Sequence, residues 1–370
     1  MTIPTAPARF TVQGRVLPLL SPARVYVCGI TPYDVTHLGH AATFVWADAL
    51  CSVLRLASGE VEVCRNVTDV DDVLTRAAAE RRSRYDELAV TQEHLFERDM
   101  AALRVRPPAH TPRAHRYVGR VVQLAAALIE TGHAYHRGGS VYFRGRHDAE
   151  LAGHPEPAPA AEHGEQADDP LREDPFDVAV WRHSAEGDPA WPSPWGPGRP
   201  GWHAECAAIA TSVLGLSVDL VVGGADLSYP HHCYQAAMAQ AATGVTPFSR
   251  ASLPVGAVRV AGAKMAKSAG NLVLVSELLD AHPAAAIRLL LLDRAWADGW
   301  DFDPTELKAA AVRIERLYSA AGRPTGVTDS AVHEVGAALL SDLDTRRALA
   351  VAEEAGGEAA RLVLRTLALG

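Results

Sequence analysis

The chain carries no excess of positive charge: 35 Lys and Arg stand against 44 Asp and Glu, for a net charge of −9. That balance argues against wide, nonspecific contact with nucleic acid, although a local basic patch stays possible. Five scattered cysteines do not make a disulfide framework. No apolar run reaches the length of a membrane span, and residues 1–24 lack the basic-then-apolar order of a secretory leader. These absences together lead us to expect a cytoplasmic protein without membrane association. No repeat of fixed period is present, so a repeat architecture is not expected. What is there is ample apolar material. With 370 residues, 48% of them hydrophobic, the chain can form one large α/β domain plus a smaller one.

The chain opens with a β-α-β unit. Residues 24–28 read as a buried strand, 39–57 as a helix, and EVEVCRNVT (60–68) as a second strand. Residues 86–132, rich in Ala, Leu and Glu, read as helices. From Ala149 to Pro200 the composition turns to Pro, Glu, Asp, Gly and His, which predicts a long surface loop or insertion, partly mobile. Strand-like text returns at SVDLVVGG (217–224) and LPVGAVRV (253–260). After about residue 275 the chain reads as helical. Within DPTELKAAAVRIERLY, Asp303 is the expected N-cap, Pro304 lies in the first turn and Glu306 follows three after the cap. Leu307, Ala311, Ile314 and Tyr318 share one face of that helix. The expected division is residues 1–85 for the first half of a catalytic domain and 86–190 for a helical insertion with a mobile Pro-rich, acidic loop. Residues 191–275 form its second half and 276–370 a C-terminal helical domain.

The stretch VYVCGITPYDVTHLGHAATF (25–44) runs a strand into a helix start, where free backbone N–H groups and a positive dipole end suit phosphate. His37 and His40 lie three apart on one face there and can donate to a polyphosphate. Gly39 between them lets a flat base lie against the backbone. Taken alone, such a pair is as often incidental as functional. A second motif, AKMAKS (263–268), places Lys264 and Lys267 three apart in a Gly-bounded loop. Two ammonium groups suit the charge that grows on pyrophosphate as it leaves ATP. A solvated lysine pair is the commoner meaning of such a loop. Both motifs in order, about 225 residues apart on a strand–helix background, outweigh coincidence.

The pair resembles the HIGH and KMSKS signatures of class I aminoacyl-tRNA synthetases, enzymes that adenylate an amino acid. VCGITPYD, RNVTDVDD, WPSPWGPGRPGWHAECAA, GGADLSYPHH and SDLDTRRAL narrow the resemblance. They are similar to cysteinyl-tRNA synthetases and to their shorter relatives, the mycothiol-pathway cysteine ligases, which join cysteine to the amine of glucosaminyl-inositol. The likeness runs from about residue 25 to 350. It implies an α/β fold: a Rossmann-type class I catalytic domain with an insertion and a C-terminal helical bundle. It also implies that Cys28, Cys206 and His231 hold Zn²⁺, with the thiolate of the substrate as a further ligand. Two thiolates and an imidazole are ligand types that zinc prefers, and a soft thiolate binds it far better than a hydroxyl, so the metal selects cysteine. The three come from separate segments, so their spacing alone marks no site; a buried apolar cysteine is the usual alternative.

Other roles carry over from the resemblance in the same way. Gly29, Ile30 and Thr31 would line the aminoacyl pocket, with Thr43 and the stretch Asn66, Val67 and Thr68 nearby, and Trp202 would close over the substrate. Gly224, Ala225 and Asp226 would touch the ribose, and Val258 the adenine through its backbone. His37, Gly39, His40, Lys264 and Lys267 would bind ATP with Mg²⁺, the two histidines and two lysines acting catalytically. Gln235 stands where cysteinyl-tRNA synthetases carry a Glu, which leaves the vertex to substrate, as in the ligases. Cys233 lies two residues after His231 along a helix and is read as pointing elsewhere.

Several departures keep the acceptor open. Ala266 replaces the serine of KMSKS, Val221 and Val222 stand where the ligases have Gln-Gly, and EHGEQA (162–167) replaces their ERGGDP. The expected substrates are ATP, L-cysteine and a small amine, in a monomer. Three alternatives stand beside this: a paralogue serving another amine, a truncated cysteinyl-tRNA synthetase, and a non-catalytic binding paralogue. About 100 residues follow Ser268, room for a helical bundle but not for an anticodon-binding domain as well. Residues 301–370 hold 8 Lys and Arg against 11 Asp and Glu, so tRNA is not an expected partner. No general base for the amine can be named from the sequence.

Overall fold

The computed structural model describes residues 9–159, 169–266, 269–324 and 329–370. At its centre is a parallel four-stranded sheet ordered Ser249–Val255, Val218–Gly224, Ala23–Ile30, Val61–Val67. Parallel strands are covered on both faces and so read as nearly unbroken apolar runs. The opening strand continues to Ile30, beyond the expected end at residue 28, and its register with Val61–Val67 shifts between Val27 and Ile30. Successive side chains on a strand point to opposite faces. Val25 and Val27 therefore join one core with the helix Leu38–Ser58, while Tyr26 and Cys28 join another on the far face. The winding reverses at this strand, since Val61–Val67 pairs on one side of it and Val218–Gly224 on the other. Crevices beyond the carboxyl ends of strands at such a reversal are where open α/β sheets hold ligands.

Helix Leu38–Ser58 forms where residues 39–57 were expected, and Gly59, at φ +85°, follows its end. The expectation that no apolar run is long enough to span a membrane is corrected: this helix is, by length and composition. Yet 72% of its apolar window is buried inside the fold, against the sheet and the C-terminal helices.

The segment 86–190 contains the expected helices, Tyr85–Ala102 and Val118–Glu130, and most of a sheet as well. The surface loop expected from Ala149 to Pro200 is corrected. Val178–His183 and Gly198–Pro200 complete an antiparallel sheet with Ala134–Arg137 and Ser140–Phe143. Val178 to Trp181 are all buried, so this strand lacks the alternation that betrays a half-exposed one. Its Pro-rich and acidic flanks dominate the local composition instead. EHGEQA lies outside the described residues.

Among the described residues from Val275 on, the regular structure is helical apart from Trp300–Asp301, which pairs in parallel with Val258–Val260. Asp303 caps the helix Pro304–Ala321, its Oδ1 accepting a hydrogen bond from the Thr305 N–H at 2.8 Å. Leu307 and Ile314 are buried; Ala310 and Leu317 lie deeper than Ala311 and Tyr318. These helices share one core with Leu38–Ser58. Arg288 sits fully buried at that junction. It donates to Asp48 Oδ2 at 2.8 Å, to the Leu103 carbonyl at 2.8 Å and to the Leu367 carbonyl at 3.0 Å. Removing one partner of a buried pair of this kind costs about 3–5 kcal/mol, because the other charge is left uncompensated.

Candidate active site

A cleft of about 300 Å³ opens beyond the carboxyl ends of the central strands. Its nucleotide-side wall is the start of helix Leu38–Ser58. His37 is the N-cap: its Nδ1 accepts from the Gly39 N–H at 3.1 Å, and His40 Nδ1 accepts from the His37 N–H at 3.4 Å. This is a reciprocal capping box made of imidazoles, in positions where Ser, Thr and Glu are usual. The rings stack with centroids 3.8 Å apart. Burial, with His37 alongside, lowers the His40 pKa to about 3, and burial also lowers that of His37. Both rings are therefore neutral at pH 7. With each Nδ1 accepting, the proton resides on Nε2, so each ring offers one N–H donor. Gly39 is needed for a reason the sequence does not reveal: a Cβ there would lie 2.9 Å from Cε1 of His37.

Lys264 and Asp226 face each other across the same wall, Nζ to Oδ2 at 2.6 Å, with the lysine 70% exposed. Asn271 fastens the loop between them and the helix. Its Oδ1 accepts from Ala266 N–H at 2.9 Å and its Nδ2 donates to the Lys264 carbonyl at 3.2 Å. The segment that follows the lysine motif meets the helix start directly, since Leu38 N–H donates to the Val273 carbonyl at 2.8 Å. Lys267 lies outside the described residues.

Gly29, Ile30, Thr31, Asn66 and Thr68 line the middle of the cleft. Asn66 fixes this stretch, accepting from Gly29 N–H at 2.9 Å and donating to Thr68 Oγ1 at 2.9 Å. Only glycine fits at 29, because a Cβ would lie 1.6 Å from the Asn66 carbonyl oxygen. Thr43, Gly224 and Val258 are also in the wall. Two expected residues are not. Val67 is a buried strand residue paired with Ile30, and Ala225 is an exposed turn residue.

The far end of the cleft is a sulfur–nitrogen cluster. One ligand atom each from Cys28, Cys206 and His231 lies within 4.8 Å of the others, and all three residues are buried. The neighbouring Cys28 thiol, with His231 nearby, pulls Cys206 well below the usual thiol range, while burial pushes Cys28 well above it. One thiolate is thus already favoured here. Trp202 stacks on the His231 ring at 4.2 Å. Surrounding polar groups support the cluster: His203 Nδ1 lies 2.9 Å from His231 Nδ1, and His232 Nε2 lies 3.2 Å from Cys28 Sγ. The sequence reading missed both; the adjacent His pair in PHH and the His in WHAEC were the available signals. Gln235, fully buried, accepts from Cys28 Sγ at 3.9 Å, and its Nε2 has no partner among the described residues. Cys233 points away, its thiol donating to the Asp148 carbonyl at 3.7 Å.

Comparison with known proteins bears on this arrangement. The family described as tRNA synthetases class I (C) catalytic domain matches residues 20–312. A curated relative from Parafrankia, "L-cysteine:1D-myo-inositol 2-amino-2-deoxy-alpha-D-glucopyranoside ligase", is 43% identical over 348 residues, covering 92% of this chain and 78% of its own. Ligases of the same name from Streptomyces coelicolor and Corynebacterium aurimucosum are 41% and 40% identical, covering 90% and 93% of this chain and 83% and 88% of theirs. Among solved structures, methionyl-tRNA synthetase of Mycobacterium tuberculosis in complex with methionyl-adenylate superposes with a TM-score of 0.63. It covers 94% of this chain and 82% of its own at 17% identity, a likeness of fold alone. The cleft, its paired histidines and the match along most of the chain agree: this protein belongs to the class I (C) tRNA synthetase catalytic-domain family, among its cysteine ligases.

Proposed function

We propose that the chain activates L-cysteine with ATP as cysteinyl-adenylate and transfers it to the amine of 1D-myo-inositol 2-amino-2-deoxy-α-D-glucopyranoside, forming an amide. One observation carries the reading: a single cleft has two neutral imidazole donors at one end and a buried thiol–thiol–imidazole cluster at the other. Cys28, Cys206 and His231 fit zinc in ligand type, and the favoured thiolate suits a cation beside them. When bound, zinc would supply a soft site for the thiolate of the substrate, which a hydroxyl or methyl cannot match.

The protein's own residues then mostly position and polarise. His37 and His40 donate through Nε2–H to the polyphosphate of ATP, which arrives with Mg²⁺. Lys264 leaves Asp226 for the phosphates, and Lys267 joins it from the same loop; Asp226 is released to accept from ribose hydroxyls. Val258 meets the adenine through its backbone, beside Gly224. Thr31, Thr43, Asn66 and Thr68 orient the amino acid, and Trp202 covers it. The cysteine carboxylate attacks the α-phosphorus and pyrophosphate departs. The acceptor nitrogen next attacks the carbonyl carbon, and AMP leaves with the electron pair of the anhydride bond.

Two departures from the wording of the ligases, Val221 and Val222, are buried strand residues outside the cleft wall, so they do not argue for another acceptor. The same reading makes the enzyme a cytoplasmic monomer that does not use tRNA. The test is mass spectrometry of products from ATP, cysteine and a panel of amines that includes glucosaminyl-inositol. The expected result is one amide, with AMP in equal amount and zinc bound one to one. Absence of cysteine-dependent ATP–pyrophosphate exchange would overturn the activation step and with it the proposal.

A further inference from the structure

A second concavity, of about 320 Å³, lies among the C-terminal helices and shares no lining residue with the active cleft. Helices Ala284–Leu292, Pro304–Ala321 and Thr345–Ala355 contribute its walls. Small-molecule sites commonly measure about 300–1,000 Å³, so the space is enough for one. Four arginines line it, Arg294, Arg313, Arg316 and Arg346, although the chain as a whole is acidic. The activation chemistry above uses none of them.

The four have different commitments. Arg313 is spent: Nε and Nη2 donate to the two oxygens of Glu353 at 2.9 and 3.1 Å, and Nη1 pairs with Asp293. Arg294 is fixed in place, its guanidinium 3.5 Å from the centre of the Trp300 ring. Its Nε donates to the Leu290 carbonyl at 2.9 Å and its Nη2 to Glu306 Oε2 at 3.1 Å. Arg346 makes one long contact, Nε to the Asp293 carbonyl at 3.4 Å, and Arg316 one weak ion pair, Nε to Glu353 at 3.9 Å. The terminal nitrogens of these last two have no partner among the described residues. Four guanidiniums thus meet the carboxylates of Asp293, Glu306 and Glu353, which leaves the groove positive.

The groove offers acceptors as well. Asp293 and Glu306 each give one oxygen to an arginine, and the other, Oδ1 or Oε1, has no partner among the described residues. Leu290, Ala309 and Ala310 make the rest of the wall, and the two alanines leave it clear of long side chains. Two guanidiniums on different helices can divide the three oxygens of a phosphate monoester between them, whereas a carboxylate fills a single fork. Free carboxylate oxygens accept from hydroxyls. We propose that this groove is a second ligand site, for a small phosphorylated polyol, with Arg316 and Arg346 taking the phosphate and Asp293 and Glu306 the hydroxyls. Such an anion would also ease the burial of Arg294, which pulls its pKa below the ordinary value despite Glu306 and Asp293.

Isothermal titration calorimetry of the full chain with glucose 6-phosphate, ribose 5-phosphate and glycerol 3-phosphate tests the site. At least one is expected to bind one to one with Kd below about 1 mM, and inorganic phosphate, glucose and citrate at least about tenfold more weakly. In the double variant Arg316→Ala, Arg346→Ala that binding should fall about 100-fold. Both arginines are exposed, so the melting temperature should move by less than about 3 °C. His37→Asn, which alters only the nucleotide cleft, should leave the affinity unchanged. No binding of any of the three sugar and polyol phosphates would overturn the proposal, as would binding that survives the double variant and is lost in His37→Asn. Equal affinity for inorganic phosphate would reduce the groove to a trap for an adventitious ion only, and equal affinity for citrate would exclude phosphate as the group it selects.

Discussion

At the nucleotide end of the cleft, the chemistry comes from His37, Gly39 and His40 within four consecutive residues and from one exposed loop, with Lys264 paired to Asp226 near solvent. At the sulfur end it comes from Cys28, Cys206 and His231, distant in sequence, all buried, and braced by Trp202, His203 and His232. The first end is local in sequence and lies near solvent. The second is buried, and its selectivity depends on atoms held in place by the core on the far face of the sheet. Substitutions at the sulfur end should therefore abolish recognition outright, whereas those at the nucleotide end should slow catalysis in a graded way.

The harshest test of that contrast is Cys206→Ala. It should lower cysteine-dependent pyrophosphate exchange on the order of 1,000-fold and abolish stoichiometric zinc, measured by metal analysis of the purified protein. Full exchange by a zinc-free variant would break the comparison. His37→Asn keeps a capping side chain but removes the ring donor, so exchange should drop about 100-fold with thermal stability little changed. A large loss of stability would mean that the ring is there for the helix. Gln235→Glu places a carboxylate near Cys28 Sγ, where it competes with the thiolate of the substrate. Cysteine activation should weaken about tenfold while zinc is held more tightly, a split that titration with a chelator reads directly. Smallest of all, Asp226→Asn breaks an exposed ion pair and should alter unfolding free energy by less than about 1 kcal/mol, although the KM for ATP rises.

The difference between the two ends also explains what the sequence could disclose. Strands Ala23–Ile30 and Val218–Gly224 announce themselves as apolar runs, and the paired histidines and lysines as short motifs. Strand Ser249–Val255, by contrast, was expected only from residue 253 and as continuous to 260; it opens on polar residues and ends at Val255. The sulfur cluster gives no such signal, because its spacing is set by the sheet and by the turn Ser228–His232; only the resemblance to a family names those three residues together. Strand Val178–His183 escaped notice since burial on both faces erased its alternation. Val67 and Ala225 were expected at the cleft from the family resemblance; Val67 is a buried strand residue paired with Ile30 and Ala225 an exposed one, and neither lines the cleft. Asn271 carries no pattern of its own, and its double grip on the lysine loop is visible only in three dimensions.

Arg288 sets a condition on how this chain can be altered. Its guanidinium joins Asp48 on the cleft-lining helix to carbonyls at Leu103 in the insertion and Leu367 near the last helix. Trimming the chain before residue 367 would leave the buried Nε–H of Arg288 without its acceptor while Asp48 still balances the charge, so the C-terminal helices are a structural member of that cleft wall and not a detachable appendage.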